Sequence, residues 1–251
     1  MQIGVLGSLV ICGDISRESV SSRKLKVILG TLSICAGNPI SSDQLAEELW
    51  GNRPLGNTRN ALQAGVLRLR KLIEMCSSLR GGDVVQTVAG GYRLDLPAGG
   101  VDAQRFRELA ARGSRELPTR PEFAVELLQE ALGLWRGPAL FDIDGPRCRT
   151  EAAALEEVRL RAQEDLISGK LTLGAQRDVV PELRQLTIAH PDRERFCEQL
   201  MIALYREGRQ SEALRIFLQT RKRLVSELGV EPSPPLRELY QKILSHDSLA
   251  G

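Results

Sequence analysis

Apolar residues recur every three or four positions along most of the chain, with short apolar runs only near its start. Over residues 57–73, Leu62, Val66, Leu69 and Ile73 fall on one stripe of a helix. The opposite side carries Asn60, Gln63, Ala64, Leu67 and Lys71, with Thr58 and Arg59 at the start and Arg68 and Arg70 at the margins. Such a face suits a DNA major groove, where amides read base edges, small apolar groups meet thymine methyls and cations meet phosphates. An ordinary surface helix shows a charged face too, so the neighbouring elements decide between the two readings.

Upstream, 3–6 and 9–12 are β-forming runs broken by Gly7-Ser8 and Gly13-Asp14, and predict short strands. Residues 23–36 place Leu25, Ile28, Leu29, Leu32 and Cys35 on one side of a helix that Gly37-Asn38-Pro39 stops. Ser42 is the expected N-cap of a second helix over 43–50, with Leu45, Ala46, Leu49 and Trp50 inward and Gly51 at its end. Downstream, 84–94 predict a hairpin, with Gly90-Gly91 supplying a turn that needs positive φ. Strands, three helices and a hairpin in this order make a winged helix-turn-helix, in which the second helix braces, the third reads and the hairpin is the wing. The expected DNA contacts are Thr58, Arg59, Asn60, Gln63, Ala64, Leu67, Arg68, Arg70 and Lys71 on the reading helix, and Arg93 on the returning wing strand.

Pro97-Ala98-Gly99-Gly100 is a linker-like break, which sets expected domains at 1–97 and 98–251. Helical spacing then runs through 102–112, 121–134, 149–168, 175–190, 193–207, 210–228 and 235–245, with short Gly- or Pro-bearing turns between several of them. The pair 180–207 and 210–228 approaches the tetratricopeptide period of roughly 34 residues. The fold class is therefore mainly α with a small β component: a winged helix-turn-helix followed by an all-α, tetratricopeptide-like domain. Trp135, Leu204 and Leu214 are expected in the core of the helical pairs, and residues 1–97 alone are expected to recognise DNA, more weakly than the whole chain.

Composition adjusts this picture in few places. Aromatic residues make up 4% of the 251 residues, so aliphatic packing dominates. The net charge of +2 is uninformative as a whole, but residues 1–96 hold 11 Lys and Arg against 8 Asp and Glu, a net +3, while the rest is −1. That imbalance fits a focused contact strip, not a broadly cationic surface. Five scattered cysteines include no metal-ligand spacing and read as free thiols of a reducing cytoplasm. No signal peptide and no uncharged span of membrane length is visible, so the expected location is cytoplasmic, at the nucleoid.

Candidate chemistry does not assemble. His190 precedes Pro191 in a turn and His246 lies in the tail; Cys197 has no base or orienting partner in the pattern. Gly169-Lys170 resembles the end of a P-loop, but Glu164 stands where the first glycine belongs. Glu47-Glu48, Glu151 and Glu156-Glu157 read as solvated helix faces, and Arg221-Lys222-Arg223 as the basic end of a helix. The expectation is a non-enzyme with no catalytic residue, cofactor or metal.

The residues carry a family resemblance. Gln44-Leu45-Ala46-Glu47-Glu48-Leu49-Trp50-Gly51, Arg68-Leu69-Arg70-Lys71-Leu72 and Gly91-Tyr92-Arg93-Leu94 come first. Leu134-Trp135-Arg136-Gly137-Pro138-Ala139-Leu140, Leu204-Tyr205-Arg206, Gly208-Arg209-Gln210 and Glu227-Leu228-Gly229-Val230-Glu231-Pro232 follow. In that order they resemble the small, two-domain class of the Streptomyces antibiotic regulatory protein family, with a bacterial transcriptional activation domain. The resemblance implies a response-regulator-type winged helix on direct repeats near a promoter −35 element of a secondary-metabolite cluster. It also implies recruitment of RNA polymerase holoenzyme through its sigma subunit, and a second protomer on the adjacent repeat. The chain departs from the family pattern at Gly65 and Leu67 of the reading helix, and Phe141–Thr150 lacks a tryptophan that the pattern leads one to expect. The alternative is a protein-interaction module or repressor that uses the winged helix without polymerase contact.

Overall fold

A computed structural model describes residues 1–51 and 58–245. The predicted loop 52–57, including the first residue of the expected reading helix, and His246 lie outside the described residues. The described residues form two units: 1–111 with 129–160, and 112–128 with 161–251 up to the end of the described chain.

The first unit opens with an antiparallel sheet of β1 (Gln2–Gly4), β2 (Val10–Cys12) and β3 (Arg17–Ser19), in that order. The β3 strand is a finding beyond the pattern: Arg17, Glu18 and Ser19 are all exposed, so no apolar face announces it. Helix α1 (Arg23–Ile34) buries Val27, Ile28, Leu29 and Leu32. Strand β4 (Pro39–Ser41) then leads into α2 (Ser42–Trp50). The N-cap of α2 is Ser41, one residue before the expected Ser42. Its hydroxyl accepts from the Gln44 N–H while the Gln44 side chain accepts from the Ser41 N–H, a reciprocal capping box. Only Leu45 and Glu48 of α2 are buried; Ala46, Leu49 and Trp50 are half-buried.

Helix α3 (Thr58–Cys76) buries Leu62, Val66, Leu69, Ile73 and Cys76, which is the predicted stripe continued by one turn. Gly65 allows α3 to approach α1, since a Cβ there would stand 2.7 Å from Ile28 Cδ1. A four-residue helix α4 (Gly81–Val84) precedes the wing strands β5 (Val85–Val88) and β6 (Gly91–Leu94). The wing sheet is three-stranded, with β6 in the middle of the order β4-β6-β5 and Ile40 opposite Tyr92. Gly90 has the positive φ, +76°, that the turn requires. Gly91 is glycine for a different reason: a Cβ there would lie 2.0 Å from the Ile40 carbonyl oxygen.

The unit continues into α5 (Asp102–Glu116), α6 (Pro121–Gly133) and α7 (Pro146–Thr172), which it shares with the second unit. The Asp102 carboxylate accepts the buried N–H groups of Val5 and Leu6 at 2.7 and 3.2 Å and pairs with Arg136 Nη2 at 3.1 Å. Arg136 in turn donates from Nη1 to the Ser8 carbonyl at 3.0 Å, and Asp142 accepts the Leu9 N–H at 3.0 Å. The β1–β2 loop is thus clasped by residues beyond position 97. Trp135 packs here, edge-on to Phe106 at 5.2 Å with Arg159 over its face, and is half-buried. Glu48 is buried, not solvated: it accepts the Arg147 N–H and pairs with the Arg147 guanidinium.

In the second unit α8 (Gln176–Ala189), α9 (Glu194–Arg206), α10 (Gln210–Arg223) and α11 (Pro234–Leu244) pack as successive neighbours. The central helix, α9, buries Phe196, Cys197, Leu200, Met201, Ala203 and Leu204. Leu204 is in the core as expected, whereas Leu214 is half-buried because Ala213 and Phe217 take the inward positions of α10. The expected helix 210–228 divides: α10 ends at Arg223, and Leu224–Leu228 form a π turn closed by left-handed Gly229. Arg221 binds Glu231 through two hydrogen bonds, and Arg223 binds the Pro191 carbonyl.

Candidate nucleic-acid interface

Burial of the apolar stripe of α3 fixes what its other side presents. Arg59, Asn60, Gln63, Ala64, Leu67, Arg68 and Lys71 are exposed, Leu67 by 55%. Thr58, the first residue of α3, is half-buried. Asn60, Gln63 or Ala64, Leu67 and Lys71 succeed one another every three or four residues, so they line one face. At 1.5 Å per residue that row spans about 16 Å, comparable with a major groove about 12 Å wide. It offers two amides, a small apolar group, a leucine and a terminal ammonium, with Arg59 and Arg68 on its flanks.

Arg70 is placed differently. It is half-buried, and its guanidinium donates to the Val85 carbonyl from Nε at 2.9 Å and Nη2 at 2.7 Å, and to Thr87 Oγ1 at 2.8 Å. Helix α3 and the wing are therefore joined by a charged fork. The Gly81 N–H donates to Glu74 at 2.9 Å, and Gly81 lies so close to the Arg70 backbone that a Cβ would clash with it. Arg93 is half-buried on β6 and donates to Gln86 Oε1 at 2.7 Å, while Gln86 donates to Asp95 at 2.7 Å. Tyr92 is buried. Sequence pattern does not single out Thr87 or Gln86, because a lone hydroxyl or amide in a strand has no periodic signature.

Among the described residues no group of three or more His, Cys, Asp or Glu is placed to hold a metal ion, and no helix is long and apolar enough to cross a membrane. Burial pushes the thiols of Cys35, Cys76 and Cys197 up, and that of Cys148 to about 12.

A capped bracing helix, an exposed amphipathic helix and a wing fastened to it, continued by a helical array, define a winged-helix transcriptional regulator. Comparison with known proteins agrees. The family described as "Transcriptional regulatory protein, C terminal" matches residues 18–94, and "Bacterial transcriptional activator domain" matches 101–244. Transcriptional regulator RedD of Streptomyces coelicolor is 44% identical over 249 residues, which is 98% of this chain and 71% of RedD. Regulatory protein DnrI of Streptomyces peucetius is 39% identical, over 98% of this chain and 93% of DnrI. The solved structure of Mycobacterium tuberculosis EmbR with a low affinity phosphopeptide superposes with a TM-score of 0.94 at 31% identity, covering 99% of this chain and 66% of that one. The chain belongs to the Streptomyces antibiotic regulatory protein family of transcriptional activators.

Proposed function

We propose that the chain is a sequence-specific DNA-binding activator of a secondary-metabolite gene cluster. It binds direct repeats near a promoter −35 element, with a second protomer on the adjacent repeat, and recruits RNA polymerase holoenzyme, including the sigma subunit. Residues 1–97 supply DNA reading and 98–251 the activating surface, in the cytoplasm at the nucleoid. The observation that carries this reading is the exposed row of α3, whose amide, apolar and cationic groups match the three kinds of DNA contact. Asn60 and Gln63 read bases, Ala64 and Leu67 meet thymine methyls, and Thr58, Arg59, Arg68 and Lys71 hold the backbone. Arg70 adds its charge to the same strip from its anchorage on the wing, and Arg93 supports the flanking contact.

The test is a gel shift against the promoters of the protein's own gene cluster across a salt series, followed by transcription with purified polymerase. Specific retention with a steep salt slope and stimulated transcription is expected. Absence of any DNA complex would favour the protein-interaction module, and specific binding that lowers transcription would favour a repressor.

A further inference from the structure

The loop between α6 and α7 holds one large apolar side chain out in solvent. Leu140, with φ +53°, is the one non-glycine residue in the left-handed region among the described residues, and its N–H donates to the Val5 carbonyl at 2.8 Å. Leu140 and Ile143 are buried, and Asp142 is fixed by Lys26 at 2.6 Å and the Leu9 N–H. Between these anchors Phe141 stands 70% exposed. A left-handed leucine is held against its own preference, which the surrounding contacts must over-determine. The result is a rigidly mounted aromatic knob, and such side chains are the usual anchors of protein interfaces.

A cavity of about 650 Å³ opens close by, with Asp144 on its wall, within about 11 Å of Phe141 along the chain. Leu49, Trp50 and Pro146 supply apolar lining; Arg23, Lys24 and Arg149 supply cations. Arg23 and Arg149 share the single carboxylate of Asp144, at 2.5 and 2.8 Å, and both are mostly exposed. Glu48, the other acid of the cavity, is engaged by Arg147. Two of the cations thus share one carboxylate while Lys24 lies over the Trp50 ring at 5.7 Å, so among the described residues the surface is complementary to an acidic segment that carries apolar side chains. Nucleic acid would use the cations but leave the aromatic knob and apolar lining idle.

We propose that Phe141 and this cavity form the docking surface for an acidic, amphipathic segment of RNA polymerase holoenzyme. The assignment rests on the activator reading above and extends its protein-facing surface from 98–251 onto Arg23, Lys24, Leu49 and Trp50, all within the first unit. The partner's aliphatic side chains enter the cavity, its carboxylates meet Arg23, Lys24 and Arg149, and Phe141 enters an apolar recess of the partner.

The test uses the full chain with p-benzoylphenylalanine at position 141 and purified polymerase holoenzyme, without DNA. Photocrosslinking to a polymerase segment rich in Asp and Glu supports the proposal; no crosslink, or a crosslink only to a second copy of the chain, overturns it. In parallel, F141A should weaken the binary complex by about 30-fold and R149E by about tenfold, with R149K close to wild type. Unchanged affinity in F141A and R149E overturns the proposal, as does loss of promoter occupancy in R149E, which would assign the cations to DNA. The crosslink needs no promoter, so failure of DNA binding by the wild type would strike the function proposed above and leave this test decisive.

Discussion

Replacing Asp102 by Ala should unfold the first unit far more readily, although Asp102 lies outside the residues proposed to read DNA. Its carboxylate is 15% exposed, accepts two backbone N–H groups of residues with at most 2% exposure, and pairs with Arg136. Each hydrogen bond to a charged acceptor contributes about 1.5–3 kcal/mol, and each buried donor left bare costs about 1–3 kcal/mol. Arg136 regains water on losing its partner, so the low end applies to it, and the total for Asp102→Ala comes to about 3–5 kcal/mol. Asp102→Asn keeps one acceptor but points an amide at a second donor, and should lose about half as much. Urea unfolding followed by tryptophan fluorescence reports on this unit, because Trp50 and Trp135 both belong to it. With a slope of about 2 kcal/mol/M, Asp102→Ala lowers the midpoint by about 2 M. By the same reasoning a fragment of residues 1–97 exposes the Val5, Leu6 and Leu9 N–H groups together, and should melt well below the full chain. A midpoint shift under about 0.5 M for Asp102→Ala, or a fragment 1–97 as stable as the whole, would refute the reasoning.

Other consequences are sharper at single residues. Gly91→Ala should destabilise by about 3 kcal/mol or more because its Cβ meets backbone, whereas Gly90→Ala, strained but in open space, should cost only about 1 kcal/mol in thermal melts. Arg68→Ala and Lys71→Ala should each reduce the salt slope of DNA binding by about 1 without altering the preferred sequence; unchanged slopes in both would remove them from the phosphate contacts. Gln63→Ala should relax preference at one or two positions in a binding-site selection, at about 1–3 kcal/mol of discrimination, and an unaltered motif would make Gln63 structural. Cys148, buried and with its thiol pushed up to about 12, should resist alkylation at pH 8 until urea opens the first unit; rapid labelling of the native protein would contradict its placement.

Much of the fold is legible in the sequence because the stripes are long. Leu62, Val66, Leu69 and Ile73 specify both the existence of α3 and which side faces out, so the exposed row follows from the same residues. The helices of the second unit are found for the same reason, within a few residues at each end. Short elements escape. The three exposed residues of β3 carry no period and the single buried Ile40 of β4 is too short an alternation to read, so both are strands only because β2 and β6 lie beside them. The cap moves from Ser42 to Ser41 because two adjacent serines satisfy the rule equally, and only Gln44, three residues on from Ser41, breaks the tie.

What pattern cannot supply is the partner of a polar side chain. Arg70 and Arg68 stand two positions apart on the same helix and read alike, yet one is forked onto the wing carbonyl and the other is exposed. Glu47 and Glu48 are adjacent and identical, yet Glu48 is buried because Arg147, 99 residues later, covers it. The domain break is the largest instance. Pro97-Ala98-Gly99-Gly100 has the composition of a linker, but Ile3 donates its N–H to the Gly100 carbonyl and pairs with Val101, and Asp102 closes the β1–β2 loop. Local composition records how a segment bends; the hydrogen bonds that cross it are set by residues far away in the chain. The winged helix therefore borrows part of its framework from the segment matched by the activator-domain family, and a substitution at Asp102 or Arg136 should weaken the proposed DNA binding in a gel shift through the sheet, without touching a base.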